Sequence, residues 1–262
     1  MPELTTDDVT LHVEVEGSGE PVTVFAHGLT NSCMELAAFT PLAPGTKVRF
    51  CFRGHGHSST PPAGSYAFAD FARDLDAVAA AYRATGAVGT SLGAGALVHL
   101  LAGDPGRFER LVFLLPAALD RPIGDRALFE RTATLLETLP REEAIEAVLA
   151  ESGRAEGYAR QPGLRDFDLL LWQDMNPVGV ARAIRQVVGD VAVGDRERLR
   201  AVAAPALIIA REGDTVHPAS VAREIADLLP LSELVMLGSE EELMAAIPDL
   251  VGRVRSFLAG GA

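Results

Sequence analysis

Short apolar runs alternate with longer amphipathic stretches along most of the chain. The runs predict buried strands and the stretches predict helices, which together are typical of a parallel sheet with crossover helices. Residues 9–15 alternate apolar and polar side chains, which predicts an edge strand. Further strands are predicted at 21–26, 47–52, 87–90, 110–115, 205–210 and 233–237, and helices at 66–83, 91–102 and 250–258.

The pattern changes between residues 120 and 200. Helix formers dominate there, proline and glycine interrupt them repeatedly, and no clear strand is present. Several short helices between two core strands favour a cap or lid. The predicted domains are therefore a core of residues 1–119 and 201–262 and a helical cap of residues 120–200. The alternative is that these helices simply pack on the sheet.

Composition limits the classes of partner. The chain has 262 residues, 48% of them hydrophobic, and a formal net charge of −13. A chain of this length is typical of one large α/β fold. Its negative net charge disfavours nucleic acid or an anionic membrane as partner. The polar, acidic start lacks the regions of a signal peptide, which predicts a cytoplasmic protein. We expect a monomer or homodimer that acts on a small molecule.

Neither a metal nor a cofactor is expected. The two cysteines, Cys33 and Cys51, have no metal-ligand spacing, and nothing requires a disulfide between them. The sequence also lacks a phosphate-binding glycine loop.

The strongest chemical motif is Gly89-Thr90-Ser91-Leu92-Gly93, which has the Gly-x-Ser-x-Gly form of a nucleophile elbow. The motif alone is weak, but it lies between a predicted strand and a predicted helix. Its glycines remove side chains that would clash in a strained turn. The Leu92 amide and the helix N-terminus then face the position where an oxyanion would form.

A second loop reaches the same edge of the sheet. His27-Gly28-Leu29 follows the strand predicted at 21–26, and the carboxyl ends of parallel strands are where sites form. The Leu29 amide is a second candidate oxyanion donor. His27 is counted with Leu29 and Leu92 among the candidate oxyanion and substrate-binding residues, and a structural role is preferred for it over a catalytic one.

These motifs make the chain resemble the α/β-hydrolase fold superfamily over nearly its whole length. The resemblance rests on His27-Gly28, Arg53-Gly54-His55-Gly56, the elbow at Ser91, and Gly213-Asp214 after a strand. It implies a mostly parallel eight-stranded sheet flanked by helices, with a helical cap inserted after the sixth strand. It also implies Ser91 as nucleophile, Asp214 as triad acid and the Leu29 and Leu92 amides as oxyanion hole.

The chain departs from that superfamily at two places. Cys51 stands where relatives usually carry an aspartate. The loop after the last strand, which should present the catalytic histidine, reads Leu237-Gly238-Ser239-Glu240-Glu241-Glu242. A solvated glutamate with a pKa of about 4.3 is a weak base toward a hydroxyl. The base must therefore come from elsewhere, or the reaction does not need one.

His217 is the favoured substitute base. It follows Asp214 by three residues and precedes a proline, so it could be oriented by Asp214 and reach Ser91. The alternative is that His217-Pro218 only caps the next helix. His99 lies two turns beyond Ser91 and is expected to point away. In relatives, the loop that holds His55 and His57 mainly shapes the fold.

Two further residues complete the candidate site. Asp120 follows the strand after the elbow and is the alternative triad acid, although Asp214 is preferred. Trp172 belongs to the predicted cap and is a candidate for the substrate pocket. If such cap residues face the cleft, the substrate has an apolar or aromatic body.

Three functions remain open. The first is hydrolysis of an ester, lactone or thioester through Ser91. The second is a non-hydrolytic reaction of the same fold, such as that of a lyase, cyclase or carbon–carbon bond-forming enzyme of specialised metabolism. The third is a binding module without catalysis, which the presence of Ser91 and Asp214 argues against.

Overall fold

An eight-stranded sheet forms the centre of the molecule. The computed structural model describes residues 2–6, 8–37, 40, 43–123, 126–151, 155–160 and 162–260. The strands are β1 (Glu3–Thr5), β2 (Thr10–Glu16), β3 (Val22–Ala26), β4 (Thr46–Phe50), β5 (Gly86–Thr90), β6 (Arg110–Leu114), β7 (Ala206–Arg211) and β8 (Ser232–Leu237). Their order across the sheet is β1-β2-β4-β3-β5-β6-β7-β8.

The sheet is parallel from β4 to β8, and β2 pairs with β4 and β1 in antiparallel fashion. The edge position predicted for residues 9–15 is wrong, because β1 lies outside β2 and pairs Leu4 with Leu11. The sequence did not predict β1 because a strand of three residues with one apolar side chain has almost no pattern.

The central strands are buried on both faces. Val24 of β3 belongs to the larger apolar core, whereas its neighbour Phe25 belongs to a second core on the opposite face. Ala87 and Val88 of β5 divide in the same way. This two-sided burial explains why these strands read as continuous apolar runs and leaves their carboxyl ends as the place where polar groups can gather.

Helices cover the sheet. They are α1 (Phe68–Ala81), α2 (Leu92–Gly103), α3 (Arg126–Thr138), α4 (Arg141–Glu151), α5 (Ala155–Arg160), α6 (Pro162–Leu171), α7 (Pro177–Val187), α8 (Ala219–Leu228) and α9 (Glu240–Leu258). The helix predicted at 250–258 begins ten residues earlier in the structure and contains Pro248. No bounds were predicted for α8, although the sequence allowed for a helix directly after Pro218. No helix in the described part of the chain is both long and apolar enough to cross a membrane.

Helices α3 to α7 all lie between β6 and β7, and no strand interrupts them in the described part of that segment. The last of them, α7, packs tightly on a loop of the core. A Cβ added to Gly179 would lie 1.9 Å from the Gly54 carbonyl oxygen, so only glycine allows this approach. Asn176 caps α7 and donates from Nδ2 to Thr60 Oγ1 at 2.7 Å. The segment is thus anchored to the core at its C-terminal end.

Candidate active site

Ser91 occupies a strained turn between β5 and α2. Its backbone has φ 49° and ψ −103°, a conformation that costs an ordinary residue about 1 to 3 kcal/mol. A Cβ added to Gly93 would lie 2.2 Å from the Ala26 carbonyl oxygen, and one added to Gly89 would lie 2.6 Å from the Gly93 carbonyl oxygen. The two glycines of the motif are therefore needed for the elbow to close.

Hydrogen bonds from neighbouring strands hold this turn. The Ser91 N–H donates to the Leu114 carbonyl at 3.0 Å, and the Gly93 N–H donates to the His27 carbonyl at 3.1 Å. The turn is thus attached to the ends of the strands on both sides of β5, so the position of the Ser91 side chain is set by the sheet.

The His217 ring connects Ser91 with Asp214. Its Nε2 lies 3.0 Å from Ser91 Oγ, and its Nδ1 lies 3.1 Å from Asp214 Oδ2. An ionised carboxylate only accepts hydrogen bonds, which assigns the proton to Nδ1 and leaves Nε2 to accept from the serine hydroxyl. This is the contact order of a serine, a base and an orienting acid.

The connection between β7 and α8 carries both Asp214 and His217. Asp214 Oδ1 accepts from the backbone N–H groups of Val216 and His217, each at 2.9 Å. Gly213 precedes the aspartate with φ 70°, a left-handed conformation that glycine adopts easily. The aspartate therefore organises the turn that presents the histidine to Ser91.

Asp214 is held in its ionised form. Burial alone raises the pKa of this carboxyl, but the hydrogen bonds and charge of His217, and the charge of Arg211, outweigh it and lower the pKa to about 2. Arg211 Nη2 lies 3.0 Å from Asp214 Oδ2, the oxygen that also faces the ring. The site thus keeps a negative charge opposite Nδ1 at physiological pH.

Two backbone amides beside Ser91 find no acceptor among the residues that the structure describes. Within the described residues, neither the Leu29 N–H nor the Leu92 N–H donates to another protein group. Leu92 is the first residue of α2, and a Cβ on Gly28, next to Leu29, would lie 3.6 Å from Ser91 Cβ. Both amides therefore belong to segments that border the serine.

Glu35, which no sequence motif indicated, borders the same loop. Its Oε2 accepts from the Gly28 N–H at 2.6 Å, and its Oε1 accepts from Asn31 Nδ2 at 2.5 Å. Burial raises the pKa of the Glu35 carboxyl to about 7 against the lowering effect of these two bonds. Glu35 lies in a short 3₁₀ helix, Cys33–Leu36, which has no strong sequence pattern.

The His27 ring is held by hydrogen bonds inside the fold. The ring is fully buried, with Nδ1 at 2.7 Å from the Gly28 carbonyl oxygen, and Nε2 accepts from the Phe52 N–H at 3.0 Å. Burial first, and then the nearby His55, lower its pKa to about 3. Both ring nitrogens are occupied, so His27 fixes the loop that precedes Leu29.

Other histidines are engaged away from the serine. His55 Nε2 lies 2.5 Å from the Leu29 carbonyl oxygen, His99 Nδ1 lies 2.9 Å from the Ala192 carbonyl oxygen, and His57 pairs with Asp174 at 3.5 Å. In the part of the chain that the structure describes, His217 is the histidine bonded to Ser91.

Asp120 and Trp172 lie in other surroundings. Asp120 pairs with Arg196 at 3.2 Å and with Arg121 at 3.4 Å, while Asp214 takes the contact with His217. Trp172 is partly buried against the main core, and its carbonyl accepts from Arg141. Among the described residues, no hydrogen bond or ring contact joins either side chain to Ser91 or His217.

The loop after β8 starts a helix. The Ser239 hydroxyl caps α9 by accepting from the Glu242 N–H at 3.1 Å, and the Glu242 carboxylate accepts from the Gly238 N–H. The position at which the resemblance places a histidine is thus used for capping.

A family comparison agrees with this geometry. Residues 23–242 match the model of the Alpha/beta hydrolase family. The chain belongs to this alpha/beta hydrolase family. The match covers both the elbow and the turn with Asp214 and His217.

Solved structures of other alpha/beta hydrolases superpose on nearly the whole chain. An enol-lactonase from Burkholderia xenovorans LB400 has a TM-score of 0.81 at 21% identity, with 98% of this chain and 100% of that chain covered. A hydrolase from Pseudomonas aeruginosa PA01 has a TM-score of 0.78 at 26% identity, with 98% and 97% covered. An esterase from Exiguobacterium antarcticum has a TM-score of 0.75 at 18% identity, with 96% of each chain covered. No curated protein matches the sequence.

Proposed function

We propose that this alpha/beta hydrolase is a serine hydrolase that cleaves an ester, lactone or thioester, with Ser91, His217 and Asp214 as its triad. The observation that carries the proposal is the 3.0 Å hydrogen bond between Ser91 Oγ and His217 Nε2. A hydroxyl becomes a competent nucleophile when a base this close takes its proton. Two structural neighbours, an enol-lactonase and an esterase, favour the same class of substrate.

In the first step, Ser91 Oγ attacks the carbonyl carbon of the substrate while its proton passes to His217 Nε2. Asp214 faces Nδ1 at 3.1 Å, so the imidazolium that forms lies against a carboxylate whose pKa is about 2. The histidine then gives the proton to the leaving oxygen or sulfur as that bond breaks. Water repeats the sequence on the acyl-serine and releases the acid.

The amides of Leu29 and Leu92 stabilise the tetrahedral oxyanion in this scheme. Both N–H groups lack a protein acceptor in the described residues, and Leu92 adds the N-terminus of α2. Donors that are already oriented where charge develops contribute several kcal/mol to acyl transfer. Glu35 lies near this hole, since its carboxylate oxygens and Ser91 Cβ are all within 3.6 Å of the position that a Cβ on Gly28 would take, and its pKa of about 7 keeps the carboxyl mostly neutral only below that pH.

Residues 120–200 serve as a cap over the cleft in this proposal. Their helices lie between β6 and β7, whose carboxyl ends carry the site, and α7 is anchored to the core through Gly179. A cap with partly buried apolar side chains such as Trp172 suits a substrate with an apolar body.

Fluorophosphonate labelling tests the triad directly. We expect wild-type protein to form a covalent adduct at Ser91, Ser91→Ala to form none, and His217→Gln to label at least about 100-fold more slowly because the base is lost. The matched control is His99→Asn, which changes a histidine on α2 that is bonded to Ala192 rather than to Ser91.

Two outcomes would contradict the proposal. The first is folded wild-type protein whose Ser91 stays unlabelled, which would favour the non-hydrolytic or non-catalytic alternatives. The second is a His217→Gln variant that labels as fast as wild type, which would leave a serine enzyme with another base.

A further inference from the structure

A second group of chemically active side chains lies outside the triad. It comprises His12 and Glu14 on β2, Cys33 at the start of the 3₁₀ helix, and Cys51 directly after β4. The two cysteines of the chain therefore meet, although 18 positions separate them in sequence. No hydrogen bond joins any of the four side chains to Ser91, Asp214 or His217 among the described residues.

The spacing of these side chains suits a tetrahedral metal. His12 Nε2 lies 3.4 Å from Glu14 Oε1, and these atoms and Cys33 Sγ all lie within 4.8 Å of one another. With Zn²⁺ bonds of about 2.0 Å to nitrogen and oxygen and about 2.3 Å to sulfur, neighbouring donors of a tetrahedral site are about 3.3 to 3.8 Å apart. Small side-chain shifts would bring the three donors onto one ion.

Cys51 lies next to this group, but its Sγ is not within 4.8 Å of all three donor atoms, so its side chain would have to turn toward the ion to become the fourth donor. The Cys33 thiol hydrogen-bonds to Cys51 Sγ, which also accepts from the Cys33 N–H at 3.4 Å. Cys51 is fully buried, and Cys33 and His12 are each 4% exposed. Two buried sulfurs with an imidazole and a carboxylate are a ligand set that Zn²⁺ prefers.

Arg49 completes the surroundings of the cluster. Its Nη2 lies 2.7 Å from Glu14 Oε2, which leaves Oε1 facing His12. A guanidinium that holds the second oxygen of a ligating carboxylate fixes its orientation. Arg49 Nη2 also contacts Glu16 Oε1, so Zn²⁺, two thiolates, Glu14, Glu16 and Arg49 together would carry a net charge of about −1.

We propose that His12, Glu14, Cys33 and Cys51 form a structural zinc site. Four protein donors leave no open position, so the ion would hold the fold together rather than activate water. Binding would release the two thiol protons to solvent and form two Zn–S bonds. The ion would tie β2 and the end of β4 to the segment that follows the Leu29 loop.

Metal titration of the reduced, tag-free full chain tests the site. After removal of metal by chelation, Zn²⁺ is added in competition with a chromogenic chelator, and Co²⁺ is added separately as a spectroscopic probe. We expect one equivalent of Zn²⁺ to bind and to raise the melting temperature. We also expect Co²⁺ to show the intense visible bands and thiolate charge-transfer absorption of a tetrahedral sulfur site.

The variants Cys51→Ser and His12→Gln should each weaken Zn²⁺ binding by about 100-fold or more, because each removes a ligand. The matched control is His57→Gln. That ring packs edge-on against His12 at 5.1 Å but is paired with Asp174, so we expect unchanged affinity. If circular dichroism shows that Cys51→Ser does not fold, His12→Gln and Glu14→Gln provide the test.

Three results would overturn the zinc site. One is reduced, folded wild-type protein that binds no stoichiometric Zn²⁺. Another is undiminished binding in the ligand variants that fold. The third is a disulfide between Cys33 and Cys51 that persists under reducing conditions, since a disulfide removes both thiolates. None of these results bears on Ser91 labelling, so the zinc site and the proposed hydrolase are tested independently of each other.

Discussion

Asp214 and His217 lie three residues apart on one turn, and the carboxylate of the first binds both the ring and the backbone N–H of the second. The ring contact measures 3.1 Å and the backbone contact 2.9 Å. One side chain therefore sets the orientation of the imidazole and the shape of the turn that carries it. This arrangement places an imidazole nitrogen 3.0 Å from Ser91 Oγ, although the loop after β8 contains no histidine.

The Asp214–His217 contact leads to a first prediction. Asp214→Asn should lower kcat/KM on a p-nitrophenyl ester by about 10³- to 10⁴-fold, because the amide no longer stabilises the imidazolium or selects the Nδ1–H tautomer. Asp120→Asn is the matched control, since Asp120 is bonded to Arg196. We expect that control to change kcat/KM less than about threefold. The opposite ranking would make Asp120 the acid.

Local patterns in the sequence pointed to the three residues that the structure brings together, Ser91, Asp214 and His217. The elbow around Ser91 and the spacing of Asp214 and His217 are short segments whose geometry depends on adjacent residues. The strand order confirms the predicted parallel core. That core was also predictable from local pattern, because strands buried on both faces appear in the sequence as continuous apolar runs.

Contacts between residues that are far apart in the sequence could not be predicted from local patterns. Glu35 meets Gly28 only because the 3₁₀ helix folds back on the loop, and no periodicity encodes that contact. Cys33 and Cys51 lack any metal-ligand spacing in sequence, yet the parallel pairing of β3 and β4 brings the segments that follow these strands side by side.

The strain at Ser91 leads to a second prediction. Ser91→Ala and Ser91→Gly should both abolish turnover, but the glycine variant should be more stable than the alanine variant by about 1 kcal/mol. Glycine relieves a φ of 49°, and part of that gain is lost to the greater freedom of the unfolded chain. Urea unfolding measures the difference.

The control for this comparison is Ala80→Gly, at an exposed position of α1. There the backbone is helical, so glycine should cost about 1 kcal/mol. If Ser91→Gly is less stable than Ser91→Ala by as much as Ala80→Gly is less stable than wild type, the backbone at Ser91 is not strained.

Two glycines of α2 provide a third prediction. Gly93→Ala should destabilise the protein by more than about 2 kcal/mol, because the new Cβ would lie 2.2 Å from the Ala26 carbonyl oxygen. At Gly103, at the other end of the same helix, a Cβ meets nothing within 4 Å. Gly103→Ala should therefore be neutral or stabilise by about 0.5 to 1 kcal/mol. Thermal and urea unfolding of the two variants would reveal the contrast, and similar effects at both positions would contradict the tight elbow.

The fourth prediction concerns Glu35 and pH. The folded protein raises the pKa of this carboxyl from 4.5 to about 7, so between these values the unfolded chain releases a proton that the native state retains. Wild-type stability should therefore fall as pH rises from about 4.5 to 7, and the loss should be complete above that range. Glu35→Gln does not titrate and should escape this loss.

Urea unfolding at pH 5 and pH 8 measures the effect. We expect the free energy of unfolding of Glu35→Gln, relative to wild type, to increase by about 1 to 2 kcal/mol between the two pH values. The full pKa shift would give more, but Glu35 is only half-buried and solvent screens part of the effect. Glu143→Gln, at an exposed position of α4, controls for the general loss of one negative charge. A Glu35→Gln difference that is the same at both pH values, or that shrinks as pH rises, would mean that Glu35 is ionised in the folded protein throughout. Its negative charge would then face the Gly28–Leu29 loop permanently, and an oxyanion held by the Leu29 amide would form against that charge.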